Sequence, residues 1–152
     1  AGRFSAADAP SVIMTVSELN FILAEAVLDG DISGDADAYF KKGLEASFDY
    51  YGLTMPADFI ESLGTLDRET VLTQKWVSLF GQGVESWTEY RRTGYPKMPS
   101  ADPRSIFEND GMIPTRLPYP TTEYSLNKAS LDGGIAINGG VDNMQTKLWW
   151  AE

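Results

Sequence analysis

Apolar residues recur at helical spacing through the first ninety positions and lose that rhythm afterwards. Thr15 followed three residues later by Glu18 forms a capping box ahead of a run from Leu19 to Leu28. Val16, Leu19, Leu23, Ala26 and Val27 make its apolar stripe, and Phe21, Ile22 and Leu28 widen it, so this helix is expected to pack on more than one side. Asp29-Gly30-Asp31 ends it. Asp35 can cap a second helix that runs to about Tyr51, with Gly52 in the left-handed terminating position. Gly43 and Ser47 are small enough to let a neighbouring helix approach that second helix closely.

A short helix is expected over Pro56 to Leu63, and a longer one from about Asp67 to Phe80 with Leu72, Trp76, Leu79 and Phe80 as its buried face. Gly81-Gln82-Gly83 interrupts the pattern before another helical stretch from Val84 to Arg91. Trp76 and Trp87 stand at core spacing. Beyond Thr93, six prolines between Pro96 and Pro120 forbid long uninterrupted helices. Ile106, Phe107, Ile113, Leu117, Tyr119 and Tyr124 nevertheless give this part apolar anchors, so it reads as ordered loop rather than a solvated linker. The Gly-rich stretch from Asp132 to Asn143 leads to Trp149-Trp150, a pair expected to dock onto the body. The fold class is therefore mainly α. Antiparallel helix pairs of tetratricopeptide-like form occupy 14–93, and a Pro/Gly-rich irregular half with short extended pieces occupies 94–152, within a single segment spanning 1–152.

Composition narrows the chemistry. The 152 residues carry no Cys and no His, which excludes thiolate and imidazole metal sites, Cys nucleophiles and a Ser-His-Asp triad within the chain. The net charge of −10 disfavours nucleic acid and anionic lipid surfaces as partners. Most of that charge lies in the first half, where 3 basic residues face 11 acidic ones up to Thr65.

Three constellations carry candidate chemistry. Glu85 and Glu89, four apart on a helix, have the spacing of a close carboxylate pair, but pairing with Arg91 and Arg92 accounts for them more simply and no catalytic residue is assigned. Asp132, Asn138, Asp142 and Asn143 offer oxygen ligands to Ca²⁺, yet they lack the spacing of a known calcium loop and serve equally as turn residues; no cofactor is otherwise expected. Tyr95, Arg92, Trp149 and Trp150 are the candidate ligand-binding residues, since aromatic rings stack on the apolar face of a sugar while charged groups bond its hydroxyls.

Gln74-Lys75-Trp76, the run Gly83 to Pro96, and Ile113-Pro114-Thr115-Arg116-Leu117-Pro118-Tyr119-Pro120 followed by Glu123 and Asn127 resemble, in that order, the C-terminal part of a SusD/RagB-like protein of the starch-binding, outer-membrane-associated branch. Leu23-Ala24-Glu25-Ala26 and the Tyr51-Gly52 helix end fit the same pattern. The resemblance implies a non-enzymatic lipoprotein at the bacterial cell surface, held in the outer membrane by a lipid anchor upstream of this chain. It would bind oligosaccharide or another nutrient and deliver it to a SusC-like TonB-dependent transporter. A helical protein-protein adaptor without sugar binding is the alternative.

Overall fold

The computed structural model describes residues 6–98, 104 and 111–151. Its elements there are all helical: α1 (Val16–Leu28), α2 (Ala36–Tyr51), α3 (Phe59–Ser62), α4 (Arg68–Ser78), α5 (Gly83–Thr93), α6 (Thr121–Leu126) and α7 (Lys128–Ile137). The chain divides into two compact units, 1–86 and 87–152. Among the described residues no helix is long and apolar enough to cross a membrane.

In the first unit the ends of α1 and α2 are set locally. The Thr15 hydroxyl accepts from the Glu18 N–H at 3.0 Å, and the Glu18 carboxylate accepts in return from the Thr15 N–H. Asp35 accepts from the Ala38 N–H at 3.0 Å, and Gly52 closes α2 with φ of 68°. These contacts satisfy backbone donors that a helix end leaves unpaired.

The α1–α2 pair closes tightly at Gly43. A Cβ built there would lie 2.9 Å from the Phe21 ring, and the Ser17 hydroxyl donates to the Gly43 carbonyl at 2.8 Å. Phe21, Ala24, Phe40, Leu44 and Val71 form the core, with Phe21 meeting Phe40 edge to face. Tyr39, Met55, Phe59, Ile60, Leu63 and Leu66 pack around it.

The buried face of α1 is not the expected stripe. Val16 and Leu19 are exposed, while Ser17, Glu18, Phe21, Ala24 and Glu25 face inward. Small residues allow α2 to approach, and α4 brings a counter-charge: Lys75, itself buried, reaches Glu25 at 3.4 Å, with Arg68 at 3.5 Å from the same carboxylate. A buried carboxylate is tolerable only with such partners. On α4 the inward residues are Val71, Leu72, Lys75 and Ser78, followed by Leu79. Phe80, expected inside, is 71% exposed because the helix has already ended at Ser78 and the chain turns there. The Tyr51 hydroxyl caps this end, lying 2.7 Å from the Phe80 carbonyl and 3.1 Å from that of Ser78.

The second unit has more helix than its glycines and prolines suggest. Gly133 and Gly134, read as part of a loop, lie inside α7. A Cβ at Gly134 would come within 2.8 Å of the Tyr119 hydroxyl, so here glycine serves close packing rather than a turn. Ile106 and Phe107 lie outside the described residues. Leu117, expected as an apolar anchor, is 70% exposed.

Candidate functional site

The second unit is organised by two arginines. The first, Arg91, sits one helical turn after Trp87 on α5, with its guanidinium 3.8 Å from the centre of the Trp87 ring and 4.8 Å from that of Trp150. It donates to the Thr115 carbonyl at 3.1 Å, and the Trp87 indole N–H donates to the Pro114 carbonyl at 2.7 Å. Spacing of four on a helix aligns indole and guanidinium, and the flat cation then holds the second indole by cation–π attraction. Burial holds the Arg91 pKa below its ordinary value. Its Nε is buried without a hydrogen-bond partner, so stacking does part of the work that hydrogen bonds would otherwise do.

The second arginine, Arg116, ties the run before α6 to the segment after α7. It donates to Asp142 at 2.6 Å and to the Asn143 carbonyl at 3.1 Å. Asp142 also accepts from the Tyr119 N–H at 3.0 Å and from the Tyr124 hydroxyl at 2.7 Å. Burial of Asp142 by itself would raise its pKa, but the bonds from Tyr124, Arg116 and Tyr119 outweigh it and hold the carboxyl below its ordinary range. The bond to Asp142 raises the Tyr124 pKa in turn. Asn143 folds the following turn by accepting from the N–H groups of Gln145 and Thr146. The Thr115 hydroxyl lies 2.9 Å from the Met144 carbonyl and 3.0 Å from that of Thr146.

The four candidate ligand residues all fall in this unit, in different settings. Arg92 pairs with Glu89 at 2.9 Å. Tyr95 donates its backbone N–H to the Thr93 hydroxyl at 3.2 Å and carries Lys97 over its ring at 4.2 Å. Trp150 is committed to Arg91, whereas Trp149 is 95% exposed. The expectation that both tryptophans dock is thus corrected for Trp149: Trp150 takes the place on Arg91, and its neighbour projects into solvent.

Glu89 is buried against Arg92, and Glu85 is exposed. Of the oxygen-bearing set, Asp132 pairs with Lys128 at 2.9 Å, Asn138 donates to the Tyr119 hydroxyl, and Asp142 is occupied by Arg116. No group of three acidic residues gathers in a metal-sized cluster among the described residues. The Arg116–Asp142 knot was not singled out from the sequence. Its one signal was an arginine embedded in an apolar, proline-rich run, a setting in which the cation needs a carboxylate.

The family model described as starch-binding associating with outer membrane, SusD-like, matches residues 1–120. The chain belongs to the SusD-like family. A SusD-like protein designated Bacteroidetes AC2a is 27% identical and superposes with a TM-score of 0.82 over 100% of this chain and 32% of its own. A chitin-binding protein is 30% identical, with a TM-score of 0.73 over 90% of this chain and 32% of its own. A chitin-binding SusD homologue from Flavobacterium johnsoniae is 25% identical, with a TM-score of 0.74 over 91% and 36% of the respective chains. The chain thus spans about a third of the length of each of these relatives. No curated protein matches the sequence.

Proposed function

We propose that this SusD-like chain is the C-terminal segment of a non-catalytic glycan-binding protein of the bacterial cell surface. It is anchored in the outer membrane by a lipid outside these residues and delivers its ligand to a SusC-like TonB-dependent transporter. The observation that carries the reading is the family match over residues 1–120, reinforced by two structural relatives whose names state that they bind chitin. Chitin and starch are both neutral polymers of pyranose rings, and a net charge of −10 places no electrostatic barrier before an uncharged ligand.

The geometry supports binding rather than bond cleavage. Glu89 is buried in an ion pair with Arg92, and Glu85 is exposed, an arrangement that favours structural roles for both over a glycosidase-type carboxylate pair. Trp149 offers an open indole face of the kind that stacks on a sugar. Tyr95, Arg92 and Trp150 belong to the same unit, with Arg92 and Trp150 held by Glu89 and Arg91. Incubating the natively encoded protein with chitin beads and with granular starch tests the reading. Retention on at least one polysaccharide, with no soluble sugar released, is expected; passage through both, or release of product, contradicts it. An adaptor whose partners are proteins alone would pass through.

A further inference from the structure

Asn138 differs from the other described asparagines in its neighbour and in how loosely its amide is held. Gly139 and Gly140 follow it, whereas Phe21, Lys128 and Met144 follow Asn20, Asn127 and Asn143. Asn20 donates to the Val16 carbonyl at 2.8 Å and Asn127 to the Glu123 carboxylate at 3.0 Å. The Asn143 side-chain oxygen accepts from two backbone N–H groups and from the Thr146 hydroxyl. The Asn138 amide donates to the Tyr119 hydroxyl over a longer 3.3 Å.

The backbone beside Asn138 is open to attack. Gly139 and Gly140 leave α7 at φ of 95° and 84°, both exposed to solvent. They form a Schellman closure in which the Gly140 N–H donates to the Ile135 carbonyl at 2.8 Å and the Gly139 N–H to that of Ala136 at 3.3 Å. The Gly139 bond is the weaker of the two and lies at a helix end, where fraying is easiest. With no Cβ on Gly139, nothing shields its nitrogen from the neighbouring side chain.

We infer that Asn138 is a site of spontaneous deamidation. Once the Gly139 bond opens, the Gly139 nitrogen attacks the Asn138 Cγ. The new N–C bond forms as the Cγ–Nδ2 bond breaks, and the backbone proton departs with the amide nitrogen as ammonia, leaving a cyclic imide. Water then opens the imide at one carbonyl to give aspartate or at the other to give isoaspartate; nothing is oxidised or reduced. Tyr119 passes the consequence on, since its hydroxyl meets Asn138 and its N–H meets Asp142. Aspartate at this position puts a negative charge at the carbonyl end of α7, where the helix dipole opposes it. Isoaspartate adds a methylene to the main chain within the closure that leads to the Arg116–Asp142 pair. The inference goes beyond glycan binding and does not depend on it.

The natively encoded protein, aged in mildly alkaline buffer with and without urea, is digested and its peptides are followed by mass spectrometry with electron-transfer fragmentation, which separates aspartate from isoaspartate. In the folded protein Asn138 is expected to convert about tenfold faster than Asn20, Asn127 or Asn143. Conversion no faster than at Asn127, or conversion of Asn138 only in urea, would overturn the inference. The urea unfolding midpoint of the folded protein should fall as the isoaspartate fraction grows, while that of an equally aged Asn138→Gln variant should hold. A midpoint that ignores the isoaspartate fraction would overturn the link through Tyr119.

Discussion

Arg116 and Asp142, 26 residues apart in sequence, meet at 2.6 Å with both side chains more than nine-tenths buried. The carboxylate is bound by a cation, a backbone N–H and a phenol at once, and the segment after α7 is thereby fastened to the Pro-rich run before α6. Removing one partner of such a pair leaves the other charged and poorly solvated. Asp142→Ala is expected to cost about 2 kcal/mol in thermal or urea unfolding.

The same pair sets a pH dependence. The folded Asp142 pKa lies below the ordinary aspartate value. Its contribution is therefore complete above the unfolded pKa of about 3.9 and is lost as pH falls through the lower folded value. Unfolding midpoints measured from pH 6 downward should show the native protein's advantage over Asp142→Asn shrinking below about pH 4. An advantage that stays constant to pH 2 would show that the charge on Asp142 is not what stabilises the knot.

Gly43 is predicted to tolerate no side chain. With Phe21 2.9 Å from the position of an added Cβ, Gly43→Ala must push the ring or separate α1 from α2. The gain in helix propensity, up to about 1 kcal/mol, opposes an overpacking cost of about 1–3 kcal/mol. A net loss of stability in urea unfolding is expected. A more stable variant would mean that the Phe21 ring relaxes freely.

Glu25 holds the buried end of Lys75 and one arm of Arg68. Glu25→Ala leaves Lys75 enclosed without this carboxylate and is expected to destabilise by about 3 kcal/mol. Adding Lys75→Met to that variant should restore much of the loss, because a buried apolar side chain replaces a buried charge that has lost this carboxylate. Urea unfolding of the two single variants and the double variant checks the coupling.

Much of the helical half was legible because its signals are local. Thr15 with Glu18, Asp35, and Gly52 each act within a few residues of themselves, and the structure places all three as caps. The charges were not legible, since Glu25 meets Lys75 across 50 residues and Arg116 meets Asp142 across 26. Periodicity ranks side chains by hydrophobicity alone, so it set Val16 and Leu19 facing inward and overlooked Glu18 and Glu25. Gly133 and Gly134 misled for a related reason: they read as part of an irregular Gly-rich stretch, but they lie in α7, where Tyr119 packs at Gly134. At the candidate site, aromatic composition singled out Trp149 and Trp150 together. Only the position of Arg91 distinguishes the stacked ring from the open one.

That distinction carries a prediction of its own. Trp149→Ala removes an exposed side chain and should leave the unfolding midpoint unchanged within error, while weakening glycan binding by the natively encoded protein about tenfold, the scale of one stacked ring. Trp150→Ala should instead lower stability, since it uncovers Arg91.

Calorimetric titration of the natively encoded protein with soluble chito- and malto-oligosaccharides tests the central claim most directly. Saturable heat with at least one series, affinity that rises with chain length, and an unchanged oligosaccharide recovered afterwards are the predicted result. No heat with either series, or cleavage of the sugar during the titration, would contradict a non-catalytic glycan-binding role.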